Sequence, residues 1–259
     1  MADEDVRRLL CVEEPPVGWL LLDNPRRRNA ISLSMWDGLL AGLEKLAADP
    51  AIRVVVLAGA DGKHFCAGGD ISEFSERLRE MENAPADGLR LLREIDKPTI
   101  AMIDGYCLGG GVALAASCDL RIAADDARIG IPAAKRGLAY DYSMMRAVVS
   151  LVGPARAKLI MYTARQFSAA EAMAMGLVED VVPAAGLRDH IVVLADEIAG
   201  NAPLSISTSK FIINMVMKDE GERDIAACQA RLMTCVNSAD YVEATRSFME
   251  KRVPVFTGS

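Results

Sequence analysis

Two glycine-rich segments stand out for the chemistry that their backbone alone could perform. In Cys66-Ala67-Gly68-Gly69-Asp70 and in Gly105-Tyr106-Cys107-Leu108-Gly109-Gly110-Gly111 the chain has little side-chain bulk to screen its amides. The second segment follows the apolar run TIAMID and precedes VALAAS, so its glycines fall where a strand ends and an apolar helix begins near Gly110. The first amides of a helix have no partner within it, and glycine lets a guest come close. Such a place attracts an anion or a carbonyl oxygen that gains charge during a reaction. A phosphate-binding loop is excluded, because Lys and Ser/Thr are needed where Gly111 and Val112 stand. The dinucleotide spacing G-x-G-x-x-G fails at Leu114. A thioester carbonyl held by one amide from each loop is the better guest. The competing reading is that the small residues only let a helix pack closely on a sheet.

The elements that must hold these loops are legible in outline. VGWLLLDNP reads as a strand closed by Asn24-Pro25, and SLSMWDGLLAGLEKLAADP as a helix with Trp36, Leu39, Leu40, Leu43, Leu46 and Ala47 on its apolar face. IRVVVLAG, KPTIAMIDG and CDLRIAA are runs suited to strands buried on both faces. Strands alternating with helices imply mostly parallel pairing and an α/β fold. In SAAEAMAMG, Ser168 and Glu171 have capping-box spacing and Gly176 is the expected stop. Beyond LRDHIVVLADEIAG the pattern predicts three helices, broken near 218–222 and 237–240. The expected organisation is an α/β core over residues 1–200 and a helical region over 201–259.

Composition limits the function classes. The chain has 259 residues, 51% hydrophobic and 25% charged, with a formal net charge of −7. That is enough apolar material for a sizeable core, and the acidic balance argues against nucleic acid as a partner. The charged start lacks the apolar core of a signal peptide and no run is long enough to span a bilayer, so no membrane role and a cytoplasmic location are expected. Six scattered cysteines without a C-x-x-C pair read as reduced thiols, with no metal site. With only His64 and His190 present, histidine-based catalysis is a poor expectation.

The segments HFCAGGDI and GYCLGGGVALAASCDLRIA together resemble the two signature stretches of the enoyl-CoA hydratase/isomerase, or crotonase, family. The likeness runs from NPRRRNAIS through GLVEDVVP to SFMEKRVPVF. It implies a crotonase-like (ClpP/crotonase) fold of repeated ββα units with a C-terminal helical oligomerisation region that builds trimers, often paired into hexamers. It also implies an acyl-CoA substrate, with coenzyme A present only as part of the thioester and no separate cofactor. By position the oxyanion hole falls to the amides of Gly69 and Gly110. Ala67, Asp70 and Ile71 match the adenine-side contacts, and Arg27, Arg28 and Ala30 the segment near the CoA phosphates. Phe248 and Lys251 match residues that reach CoA from a neighbouring subunit.

The departures bear on the reaction. Hydratases of this family activate water and deliver a proton with two glutamates, and Ala113 and Ala133 stand at those positions. Counting back from Val152-Gly153 places Asp141 where dienoyl-CoA isomerases and a chlorobenzoyl-CoA dehalogenase of the family carry an active-site aspartate. Asp141 is the first catalytic candidate, and an N-cap for the following helix is its bland alternative. Tyr140 is the second, at the position of a tyrosine in methylmalonyl-CoA decarboxylase, although that enzyme has histidine where Gly69 stands. Lys135 and Arg136 are nearby cations, and Cys66 and Cys107 read as packing residues. Three readings stay open: an isomerase or related lyase using Asp141, a malonyl-type decarboxylase using Tyr140, and a catalytically weak acyl-CoA binder.

Overall fold

Val54–Gly59 has no polar side chain and is buried throughout, which requires cover on both faces of its sheet. The computed structural model describes residues 7–70 and 84–259. Its strands, in chain order, are β1 (Arg8–Glu14), β2 (Val17–Asp23), β3 (Val54–Gly59), β4 (Thr99–Ile103), β5 (Tyr106–Leu108), β6 (Leu120–Ala124), β7 (Arg128–Gly130), β8 (Gln166–Ser168) and β9 (Asp180–Val182). The larger sheet has the order β1-β2-β3-β4-β6-β9. Only the β1–β2 hairpin is antiparallel; its other neighbours are parallel, with Val56 opposite Ile100 and Met102 opposite Ile122. The smaller sheet, β5-β7-β8, is parallel between β5 and β7 and antiparallel between β7 and β8. Isolated bridges, Cys66 to Cys107 and Ile31 to Gly69, continue the layer of the smaller sheet past β5.

The chain therefore repeats a unit: a buried strand of the large sheet, a turn, a short strand of the small one, then a helix. The clearest copy is β4, the turn at Asp104-Gly105, β5 and then the helix that starts at Gly110. The first helix, α1 (Leu33–Ala48), starts where the Ser32 hydroxyl accepts the Met35 N–H at 3.4 Å. It buries Met35, Trp36, Leu39, Leu43 and Leu46. Leu40 is only half-buried and Ala47 is exposed, contrary to expectation, because both lie one turn beyond the central Trp36 and Leu43 and fall at the edge of the stripe. Helix α2 (Ala84–Glu94) is followed by α3 (Gly110–Ser117), which is buried from Gly111 to Ser117, on all sides. Helix α4 (Tyr142–Thr163) is interrupted at Gly153, with φ 73°, ahead of Pro154. Helix α5 (Ala169–Met175) has the expected capping box between Ser168 and Glu171 and stops at Gly176. Helix α6 (Leu187–Ala199) precedes α7 (Pro203–Val216), α8 (Ile225–Val236) and α9 (Ala239–Glu250), with breaks where the sequence places them.

Polar contacts tie α7 and α8 to the core and α9 to the C-terminal residues. Lys210 on α7 meets Asp119 at 2.8 Å and the Lys97 carbonyl at 2.9 Å, and Arg231 on α8 grips Asp96 with two nitrogens. Buried Asp240 on α9 accepts the N–H groups of Thr257 and Gly258. Ile213, Val216, Ile225, Leu232, Met233 and Val242 stay exposed. Among the described residues no helix is long and apolar enough to cross a membrane, and no group of three or more His, Cys, Asp or Glu side chains could hold a metal ion.

Candidate active site

The two glycine loops cross, and glycine is what lets them. At Gly109 the backbone has φ 52° and ψ −118°, a conformation that a side chain resists. A methyl group added at Gly111 would lie 2.5 Å from the Cys66 carbonyl oxygen, and one added at Gly110 would lie 3.3 Å from the Gly69 nitrogen. The amides of Gly69 and Gly110 are thus neighbours. The flanking ladder is closed: Leu108 N–H donates to Cys66 at 2.8 Å, Cys66 N–H to Tyr106 at 2.8 Å, and Gly109 N–H to Gly130 at 2.9 Å. The Gly68 carbonyl and the Asp70 N–H both turn to Ile31, at 2.8 and 2.9 Å, so the Gly69 N–H faces the other side of its strand. Neither Gly69 N–H nor Gly110 N–H has an acceptor among the described residues. Two unmatched donors from separate loops, one of them at a helix N-terminus, are the features that an oxyanion site needs.

The first loop is held by a third, residues 24–31, whose two asparagines are not among the candidates read from the sequence. Buried Asn24 and Asn29 knit residues 24–31 together: the Asn24 amide donates to Ala30 O at 2.8 Å and the Asn24 N–H to the Asn29 side chain at 3.0 Å. The Asn29 amide then reaches the His64 carbonyl at 2.7 Å. His64 stacks against Tyr106, 4.9 Å between ring centres, and its Nδ1 accepts the Tyr106 N–H at 3.4 Å. Its place is a buttress under the crossing. Asparagines at both ends of NPRRRN are the signal that could have disclosed this loop, since their side chains bond nearby backbone readily.

Tyr140 and Asp141 arrive from the other side, on the segment entering α4. Tyr140 is half-buried, and its hydroxyl donates to the carbonyl oxygen of Gly109. Burial pushes that hydroxyl well above the ordinary phenol range, with the neighbouring Cys107, Cys66 and Asp141 adding to the effect. Asp141 is exposed and caps α4, one carboxylate oxygen accepting Met144 N–H at 2.9 Å. Its other oxygen has no hydrogen-bond partner among the described residues. Arg93 on α2, also missed in the sequence, bonds Ser117 at 2.9 Å and Ser143 at 3.3 Å, next to this helix start. Ala113 and Ala133 are buried, and Lys135 and Arg136 are exposed. Burial raises the Cys66 thiol to about 11 and Cys107 well above its usual value, so both are protonated packing groups at neutral pH.

Several residues matched by resemblance to CoA contacts gather around the first loop. Arg27 pairs with the buried carboxylate of Asp70 at 2.7 Å, and Arg7 lies 3.6 Å from its other oxygen. Arg28, with φ 52°, places its guanidinium 5.0 Å from the Tyr106 ring centre. Its carbonyl takes the Ala67 N–H at 3.0 Å, and Ala30 is buried beside it. Ile71 lies outside the described residues. Phe248 is 83% exposed at the end of α9, and Lys251 caps that helix. Helix α9 packs on α8 and holds the C-terminal residues through Asp240, and among the described residues no hydrogen bond or ion pair joins Phe248 or Lys251 to the glycine crossing. A cavity of about 1430 Å³ opens between the core and the tail, lined by Arg93, Arg146, Lys210, Asn214 and Tyr241 but by neither Gly69 nor Gly110. The unmatched donors, rather than the larger space, mark the candidate site.

Comparison with known proteins shows the family and the fold. Residues 14–259 match the enoyl-CoA hydratase/isomerase family model. The chain is 35% identical to an enoyl-CoA isomerase/hydratase of Mycosarcoma maydis, over 92% of each chain. It is 30% identical to a peroxisomal Δ(3,5)-Δ(2,4)-dienoyl-CoA isomerase of Arabidopsis thaliana, over 92% of this chain and 91% of that protein. The crystal structure of an enoyl-CoA hydratase/carnithine racemase from Magnetospirillum magneticum superimposes with a TM-score of 0.88 at 33% identity, covering 97% of this chain and 96% of that one. The fold is crotonase-like, and the protein belongs to the enoyl-CoA hydratase/isomerase family of enzymes.

Proposed function

We propose that this enzyme moves a double bond in an acyl-CoA thioester, or performs a related lyase step, through an enolate held by Gly69 and Gly110, with Asp141 as the proton carrier. The observation that carries the reading is the pair of adjacent amides without acceptors among the described residues. A thioester oxygen placed between them gains charge as a neighbouring carbon loses a proton, and a donor of this kind contributes ~10²–10³ in rate. The free oxygen of the Asp141 carboxylate takes that proton; the electron pair moves toward the thioester oxygen. Return of the same proton at another carbon of the conjugated chain completes an isomerisation in which no other reactant is consumed. Ala113 and Ala133 supply no acid or base, which disfavours hydration by a two-glutamate route. Capping is compatible with this role, because it occupies one oxygen of Asp141 and leaves the other.

Coenzyme A enters only as part of the substrate. The loop carrying Arg27, Arg28, Ala30, Ala67 and Asp70 is assigned to its nucleotide end, where Arg28 offers an exposed cation to the phosphates. Phe248 and Lys251 are assigned to a neighbouring subunit of a trimer or of a hexamer built from two trimers. The test is a panel of enoyl-, dienoyl- and malonyl-type CoA thioesters offered to the parent enzyme and to Asp141→Asn. The expected result is isomerase turnover that falls by ~10²–10⁴ in the variant. Equal turnover would remove Asp141 from the mechanism. Activity confined to malonyl-type esters would favour decarboxylation, and binding without turnover a scaffold role.

A further inference from the structure

We propose that Tyr140 is a positioning residue for the oxyanion site: its hydroxyl, by bonding the Gly109 carbonyl, holds and polarises the peptide whose N–H belongs to Gly110. The inference rests on the thioester reading above and gives Tyr140 a role other than proton transfer. Gly109 C=O and Gly110 N–H are two ends of one planar unit and point in opposite directions. Whatever fixes the carbonyl therefore fixes the donor. This peptide has particular need of fixing, because glycine flanks it on both sides and no Cβ on either residue resists its rotation. A half-turn would present a carbonyl oxygen to the substrate in place of an N–H and turn attraction into repulsion.

Three donors converge on that carbonyl. The first turn of α3 supplies Val112 N–H at 2.8 Å and Ala113 N–H at 3.3 Å, both from the helix itself. The third is the Tyr140 hydroxyl, which comes from the start of α4, a separate element. Withdrawing electron density from the carbonyl oxygen also makes the N–H of the same peptide a stronger donor, as in any chain of hydrogen bonds. The phenol meets the requirements of such a clamp, since its ring is partly buried and its hydroxyl is already spent on Gly109. A group so committed is poorly placed to orient a substrate carboxylate.

The experiment compares the parent enzyme, Tyr140→Phe and protein carrying 3-fluorotyrosine at 140. It reads the carbonyl stretch of a bound, unreactive acyl-CoA thioester by Raman difference spectroscopy, together with kcat, KM and the pH profile of the preferred substrate. In the parent the stretch moves to lower frequency than in water. Tyr140→Phe is expected to lose part of that shift and about 3–10-fold in kcat, with KM and the limbs of the pH profile unchanged. The fluorinated phenol is a stronger donor and is expected to enlarge the shift, so a general folding defect cannot imitate the pair of results. A parent shift that Tyr140→Phe retains in full overturns this role alone. Loss of a limb of the pH profile in Tyr140→Phe also overturns it, by making Tyr140 a proton carrier. A parent enzyme that gives a bound thioester no shift overturns the oxyanion reading, and the clamp with it.

Discussion

The glycine crossing and the segment facing it, residues 133–144, are built on opposite terms. At the crossing Cys66, Cys107, Val112 and Ala113 are buried, and the groups proposed to act are main-chain amides. Along residues 134–142 the side chains are exposed except for half-buried Tyr140, and the group proposed to act is the carboxylate of Asp141. Donors made of backbone cannot be altered without disturbing the packing that folds the chain. A proton carrier on an exposed turn can be lost, moved or replaced while the fold stays intact. On the mechanism proposed above, the main-chain donors are tied to the fold, while the side chains that move protons are free to vary.

Substitutions that separate activity from stability sharpen this contrast. The largest effect is expected at Asp141→Asn, where the loss of turnover should leave the melting temperature within about 2 °C of the parent, because Asn caps a helix as well as Asp does. A substantially lower melting temperature would break the contrast from the exposed side. Gly111→Ala tests the buried side. Its methyl group would lie 2.5 Å from the Cys66 carbonyl oxygen and 2.9 Å from Cys66 Cβ, so the loops must part. Turnover should fall by ~10²–10³ as the paired donors are lost, and stability by about 1–3 kcal/mol in urea denaturation. Normal activity in a destabilised variant would show that the spacing of the loops is not what catalysis uses.

Asp104 gives a smaller effect at the root of the second loop. It is buried, one carboxylate oxygen has no partner among the described residues, and burial, followed by the fields of Asp126 and Asp61, raises its pKa to about 6. The folded chain therefore holds a proton that the unfolded chain has released. This group's favourable contribution is complete below about pH 4 and disappears as the pH rises through 6. Asp104→Asn, neutral at every pH, should be more stable than the parent by about 1–2 kcal/mol at pH 8. Denaturation at pH 4 and pH 8 should show that gain vanish on the acid side. The smallest effect is expected from thiol reagents. With Cys66 raised to about 11 and Cys107 higher, iodoacetamide at pH 7.5 should leave both unmodified in the folded enzyme and activity unchanged.

The outline of the fold was open to reading because its signals are local. Ser168, Glu171 and Gly176 cap their helix as their spacing requires, and the buried run Val54–Gly59 lies at the heart of the sheet. The first strand, Arg8–Glu14, escaped notice: half of an edge hairpin, it carries charge at both ends, and a charged start hid its apolar middle. Ala47 is apolar yet exposed, since a helical stripe has an edge that composition does not mark. The candidate site was legible as glycines and as a carboxylate, but its partnerships were not. Arg27 and Asp70, matched separately to a ligand, meet each other, and Tyr140, the second catalytic candidate, meets a main-chain carbonyl.

From its own residue order the chain determined where strands alternate with helices, where the backbone is bare enough for a guest, and which positions carry no carboxylate. These follow from steric freedom, periodicity and side-chain chemistry, which act within a few residues. Only the tertiary structure decided that the Gly69 and Gly110 amides lie together, that Tyr140 bonds the peptide preceding one of them, and that Asp141 keeps one oxygen free. The first two of these join residues far apart in the chain. They depend on the register of the stacked sheets and the angle at which α4 enters, which packing of the whole molecule sets and no short stretch encodes.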